Sequence, residues 1–213
     1  LGSSTLTNGS KNLDRAHMLE IVRTVHKLKE QGAEVILVSS GAIAAGREFL
    51  NHVQLPKEVR FKQMLASIGQ VKLIEQWESL FSIYDLKVGQ ILITRADLDN
   101  RDRYLNARDT LFALLEMGII PIINENDAVC VSEIKVGDND NLAALSGVLV
   151  EADLVIWDDI AAKMGSEFEL THLLNIIDNR ITLGKSNIYT SNLNKQQLYN
   201  ALGERLTSRI ANM

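Results

Sequence analysis

One cysteine (Cys130), two prolines (Pro56 and Pro121) and an aromatic content of 5% are all that 213 residues supply of three structure-setting residue classes. A lone thiol forms neither an internal disulfide nor a thiolate metal cage, which fits a reducing compartment. Cys130 reads as a buried free thiol. Two prolines and no low-complexity stretch exclude a proline-rich linker, so the chain reads as continuous. No apolar run reaches the roughly 18 to 20 residues that span a bilayer. The opening LGSSTLTNGSKNLD also lacks the charged and apolar regions of a signal peptide. A cytoplasmic protein with no membrane partner is expected. Positive charge is in deficit too: 22 Lys and Arg face 27 Asp and Glu, a net charge of −5. The footprint for gripping a phosphate backbone is therefore missing, and nucleic acid is not an expected partner.

What is present is core material. Hydrophobic residues at 46% and charged residues at 23% match a globular chain. From Asp14 to Gln31 the apolar residues Met18, Ile21, Val22, Val25 and Leu28 recur at helical spacing, and Gly32 stands where a helix-ending glycine belongs. Val35 to Val38 is continuously apolar and runs into Ser39–Ser40–Gly41, as a strand buried on both faces does at its carboxyl end. The alternation continues. Phe61 to Ser82 reads helical with a break near Gly69, Lys87 to Thr94 reads as a strand, Arg101 to Met117 as a helix and Gly118 to Asn124 as a strand. A helix from about Asp140 to Glu151 then leads into the strand ADLVIW. Strands alternating with helices of this length predict a mostly parallel sheet covered on both faces.

Ligands of such sheets sit outside the carboxyl ends of the strands. Those ends read Ser39–Ser40–Gly41, Thr94–Arg95–Ala96–Asp97 and Asn124–Glu125–Asn126–Asp127. After the first strand, Gly41-Ala-Ile-Ala-Ala-Gly46 has the glycine spacing of a phosphate-binding P-loop. That motif needs Lys and then Ser or Thr after its second glycine, where Arg47 and Glu48 stand instead. A Walker A site is thereby rejected. Ser40 and Gly41 still offer a hydroxyl and backbone N–H groups at a helix start, suited to an anion or an amino-acid carboxylate; the competing reading is tight packing of small residues. Leu1-Gly2-Ser3-Ser4-Thr5 suits either a phosphate-cradling loop or a frayed terminus. The densest segment, residues 124–141, holds five carboxylates, four asparagines and Lys135. An EF-hand fails because Leu142 stands where a ligand is needed. Carboxylates and amides so clustered suit an amino-acid ammonium and the ordering of lysines or Mg²⁺ about phosphates, although Asp138 also stands where a helix cap belongs. His17, His26, His52 and His172 show no paired spacing for zinc or a triad, and Trp77 and Trp157 read as core.

Three segments in order, VSSGAIAAGRE (Val38 to Glu48), ILITRADLDNRDRYLNARDTL (Ile91 to Leu111) and PIINENDAV followed by EIKVGDNDNLAAL (Pro121 to Leu145), closely resemble the bacterial glutamate 5-kinases of the amino-acid kinase family. The likeness covers roughly residues 1–156 and returns faintly over Ser186 to Arg209. It implies one α/β domain over residues 1–213, a three-layer αβα sandwich with a mostly parallel central sheet. It implies transfer of the ATP γ-phosphoryl group to the side-chain carboxylate of L-glutamate, the first step of proline biosynthesis. Mg²⁺ dependence, homo-oligomerisation and proline as feedback inhibitor are implied with it. By position, Ser40, Asp127 and Asn139 match glutamate-binding residues, and Gly2, Ser3 and Gly41 match backbone positions beside the phosphoryl group. Asp140 matches the acidic residue that organises the catalytic lysines.

The chain departs from the pattern in four places. The first-strand lysine is expected just upstream of Leu1, the nucleotide segment is replaced by Asp158-Asp159-Ile160-Ala161, and the later glycine-rich loop and a C-terminal RNA-binding-like domain are expected to be absent. Lys135, Lys163 and Lys185 remain as lysines for the phosphates. A glutamate or proline sensor without turnover, and a kinase for another small acid, are the alternative functions.

Overall fold

The computed structural model describes residues 1–129, 139–160 and 167–211. Cys130, Lys135, Asp138, Ala161 and Lys163, singled out above, lie outside the described residues. The contacts of the chain divide it into two compact units, residues 1–135 and 136–213.

The first unit is built on three parallel strands. They are β1 (Leu37–Val38), β2 (Val88–Ile93) and β3 (Ile120–Glu125), ordered β1-β3-β2. The apolar run from Val35 suggests a longer first strand than forms, because only Leu37 and Val38 pair, with Ile122 and Ile123. All of β3 from Ile120 to Asn124 is buried, as expected of a central parallel strand. Ile120 and Ile122 join a core with Leu6, Met18, Val22, Trp77 and Phe81 on one face. Pro121 and Ile123 alternate to the other face, where α6 (Arg101–Glu116), with Leu111 and Leu115 buried, contacts β3. Helices thus cover both faces of a parallel sheet, the α/β arrangement that the alternating pattern implies.

The remaining helices of this unit are α1 (Ser3–Thr7), α2 (Arg15–Glu30), α3 (Ala42–Phe49), α4 (Val59–Ser82) and α5 (Arg95–Asp99). Asp14 caps α2 by accepting from the His17 amide at 3.0 Å, and Gly32 follows its end at φ +84°. The expected break near Gly69 does not occur, for α4 runs unbroken through it. Glycine stands there because α3 crosses α4 with their backbones in contact: a Cβ at Gly69 would overlap the Ala42 carbonyl oxygen, and one at Gly46 would overlap the Leu65 carbonyl oxygen. The signal was a glycine needed for close approach, not for a bend.

The second unit contains α7 (Asn139–Leu149), β4 (Leu154–Trp157), α8 (Glu167–Thr182), β5 (Ser186–Tyr189) and α9 (Lys195–Ala211). β4 and β5 pair in parallel, with α8 as the connection between them. Ala144, Val155, Trp157, Ile177, Leu202 and Leu206 share its core. Arg180 of α8 is only 3% exposed. Its Nε, Nη1 and Nη2 donate to Asn187 Oδ1, Ala152 O and Ser186 O at 2.9, 2.9 and 2.8 Å, tying α8 to the starts of both strands. Among the described residues, no helix is long and apolar enough to cross a membrane.

Candidate functional site

The parallel sheet of the first unit delivers its strand ends to one edge. Ser39 N–H donates to Ile123 O at 2.8 Å, and Asn126 N–H to Ile93 O at 3.1 Å, which sets the three ends side by side. Leu1 joins them. Its amino group donates to Val38 O at 2.8 Å and its carbonyl accepts from Ser40 N–H at 3.0 Å. Gly2 and Ser3 are thereby held beside Ser40, with Gly2 as the cap residue of α1. A frayed terminus is excluded, and the expected loop is a helical turn instead. Gly41 caps α3 at φ +102°, a left-handed conformation that favours glycine.

Ser39 and Asn124 are buried behind this edge, and sequence reasoning gave them no role of their own. Ser39 Oγ accepts from Trp77 Nε1 at 3.2 Å and donates to Ser40 O at 3.1 Å, so the indole's polar handle fixes the turn. Asn124 Nδ2 donates to Gln70 Oε1 at 2.7 Å while its Oδ1 accepts from Glu125 N–H at 2.8 Å. Their signal in the sequence was a polar residue ending an apolar strand. Glu48, the residue that rules out Walker A, accepts from Leu13 N–H at 2.9 Å and binds α3 to the segment leading into α2.

The second strand end is structural. Thr94 and Asp97 form a capping box at the start of α5, and Arg103 donates to Asp97 Oδ1 at 2.9 Å. The hydrogen bonds from the Thr94 hydroxyl and amide, with Arg103 beside them, hold the Asp97 carboxyl below the usual aspartate range. Asp127 is the opposite case. It lies half-buried in the turn after β3, and burial pushes its carboxyl up. A carboxylate so placed favours a cation.

Asn139 and Asp140 are the first two residues of α7, in the second unit. Lys185 does not suit phosphate binding within its own unit. It precedes β5, where its Nζ contacts Asp153 Oδ1 at 2.5 Å and donates to Glu151 O at 3.1 Å. That is the amino edge of the β4–β5 pair, whereas ligands gather at the carboxyl edge. At the carboxyl edge Thr190 Oγ1 donates to Asp158 Oδ1 at 3.1 Å and accepts from Asp159 N–H at 2.9 Å, and Asn192 Nδ2 donates to Asp159 Oδ1 at 3.2 Å. The two aspartates that depart from the family pattern are thus bound into the turn after β5.

Comparison with known proteins agrees with this architecture. The chain is similar to a glutamate 5-kinase of Photobacterium profundum, 62% identical over 156 residues, which are 73% of this chain and 41% of that protein. Glutamate 5-kinase of Vibrio parahaemolyticus serotype O3:K6 is 62% identical over 156 residues, again 73% and 41%. That of Haemophilus influenzae (strain ATCC 51907) is 59% identical over 152 residues, 71% and 41%. The chain therefore spans about two fifths of the length of these curated relatives. The model of the amino acid kinase family matches residues 1–162, from Leu1 through all of β4, and residues 163–213 lie beyond it. With most of its length inside that match, and with helices on both faces of parallel strands whose carboxyl ends meet, the chain belongs to the amino acid kinase family.

Proposed function

We propose that this chain acts as a glutamate 5-kinase, with its amino-acid site at the carboxyl edge of the β1-β3-β2 sheet. The observation that carries the reading is Asp127, a half-buried carboxylate whose charged form is penalised by burial and relieved by an ammonium. Ser40, with its hydroxyl in the neighbouring turn, suits a substrate carboxylate. Gly2, Ser3 and Gly41 are assigned, on the resemblance to the family, backbone N–H groups near the transferring phosphoryl group. In the second unit, Asn139 is assigned an amide contact to glutamate and Asp140 the ordering of catalytic lysines, both on the resemblance to the family.

In the reaction a glutamate side-chain carboxylate oxygen attacks the γ-phosphorus of ATP, the bond from that phosphorus to the bridging oxygen breaks, and ADP leaves with the electron pair. The protein's part is positioning and charge neutralisation. Mg²⁺ is expected to arrive with ATP. Such an ion would be carried largely by phosphate oxygens and water. The relatives' name supports glutamate and ATP as the two substrates. Feedback inhibition by proline, homo-oligomerisation and a cytoplasmic location belong to the same proposal. So does a single kinase domain: the family match runs from the first unit into the second.

A free ammonium at Asp127 disfavours the kinases of N-acylated amino acids, because burial beside an acyl group would leave the carboxylate without a counter-ion. The test is glutamate-dependent ADP release together with direct glutamate binding. Asp127→Ala is expected to weaken binding by roughly 2 to 5 kcal/mol, the cost of unpairing a desolvated charge; an unchanged affinity refutes the assignment. Glutamate binding without turnover would instead favour a sensor. That second reading draws on the carboxyl edge of β4–β5, where Asp158 and Asp159 are engaged by Thr190 and Asn192.

A further inference from the structure

Two consecutive residues of α4, Gly69 and Gln70, contact residues that adjoin the two turns of the candidate amino-acid site: α3 directly after the first, and Asn124 of β3 before the second. At Gly69 the α3 and α4 backbones meet: a Cβ there would overlap the Ala42 carbonyl oxygen and the Gly46 amide nitrogen and lie 2.8 Å from the Ala42 carbonyl carbon. Ala42 opens α3 directly after Ser40–Gly41, so this contact seats the first turn. Gln70 reaches the second. Its Oε1 takes the Asn124 Nδ2 hydrogen bond at 2.7 Å, and Asn124 is itself only 3% exposed. The other end of that amide accepts from Glu125 N–H at 2.8 Å, and Asn126 N–H reaches Ile93 O at 3.1 Å, which fixes the chain leading to Asp127.

One turn is thus set against α4 by a backbone contact and the other by a side-chain hydrogen bond, from neighbouring positions on one helix. An amino acid with a second carboxylate has charged groups at both ends. To bind, it must span a fixed gap, and small misplacements of the groups at either end are costly. We propose that Gly69–Gln70 is a positioning pair that sets the separation between the Ser40–Gly41 turn and the Asp127 turn, and so selects an acidic amino acid of glutamate's length over one a methylene shorter. The proposal rests on the amino-acid site described above.

Calorimetric titration of the full chain with L-glutamate and with L-aspartate tests it. Gln70→Met keeps the length of the side chain but leaves Asn124 Nδ2 without its acceptor. The glutamate Kd is expected to rise tenfold or more, and the preference for glutamate over aspartate to shrink. Gln70→Glu retains an acceptor and is expected to recover most of both. Should Gln70→Met fail to unfold cooperatively, Gln70→Asn, one methylene short but still an amide, takes its place with the same expected loss of preference.

A folded Gln70→Met protein with the wild-type Kd and wild-type preference overturns the proposal. So does an equal loss for both amino acids in every variant, which is what general destabilisation would produce. If the unsubstituted chain binds neither amino acid, the functional reading fails by itself. The Asp127 carboxyl, titrated by carbon NMR without ligand, then decides the positioning question. A midpoint that falls toward the ordinary aspartate value in Gln70→Met supports it; an unmoved midpoint overturns it.

Discussion

Asp127 shows how a residue proposed for the amino-acid site opposes the stability of its own fold. Burial raises its carboxyl pKa above the unfolded value, so the folded state holds the proton more tightly. The sign follows directly: the contribution is favourable below the unfolded value of about 3.9 and is lost as pH rises through the folded one. At neutral pH the ionised carboxylate therefore costs stability. Asp127→Asn is expected to raise the unfolding temperature at pH 7 and to weaken glutamate binding, with the stability gain disappearing as the pH is brought down toward 4; calorimetric scans across pH check it. A thermal midpoint lowered by the substitution at pH 7 would refute the burial argument. Tyr189 gives a second residue-scale case. Burial pushes its phenol to about 12, and among the described residues its hydroxyl has no hydrogen-bond partner. Tyr189→Phe keeps the stacked contact with Trp157 at 6.2 Å and is expected to stabilise by up to about 1 kcal/mol in urea titration. The raised Asp127 value was not legible in the sequence, because it depends on which atoms exclude water from the turn.

At the scale of elements, two connections carry the fold's geometry. The Gly41 turn passes from β1 to α3 at φ +102°, and a Cβ there would lie 3.2 Å from Leu6 Cδ1. Gly41→Ala is expected to cost about 1 to 3 kcal/mol through backbone strain alone, read as a lower denaturation midpoint. Arg180 is the corresponding fastener of the second unit. Arg180→Met would leave Ala152 O, Ser186 O and Asn187 Oδ1 without that donor, at a cost of about 2 to 4 kcal/mol. Equal stability of this variant would show that water replaces the guanidinium. Strands and helices were legible here because apolar periodicity is local: β2, α6, β3, α7 and β4 all appear where alternation and spacing put them. The uninterrupted course of α4 was not legible, since Gly69 looks the same in sequence whether it ends a helix or admits another backbone. Nor was the capping box at Thr94 and Asp97, whose polar residues read equally well as a binding turn.

Across the whole molecule, the end of the family match and the residues beyond it meet in the core of the second unit. Ala144, Val155 and Trp157, within the matched residues, share one core with Leu173, Ile177, Leu202 and Leu206 beyond them. A chain ending at residue 160 is expected to expose those matched residues, to bind a hydrophobic dye and to lose amide-exchange protection in α7 and β4 while the first unit keeps its own; retained protection there without dye binding would show that α7 and β4 need no such cover. Sequence alone determined the alternation of helices and parallel strands and the family, because these are written in local periodicity and in contiguous motifs. It also determined that Arg47 and Glu48 exclude a P-loop. Only the tertiary structure decided that the second strand end, Thr94 and Asp97, is consumed by capping. It alone showed Leu1 held against β1, Lys185 at the amino edge of its strand pair, and Gln70 reaching Asn124 across 54 positions of sequence. The physical reason is common to all of these: burial, close approach and hydrogen-bond partnership are relations between residues distant along the chain, and they exist only once the sheet has brought those residues together.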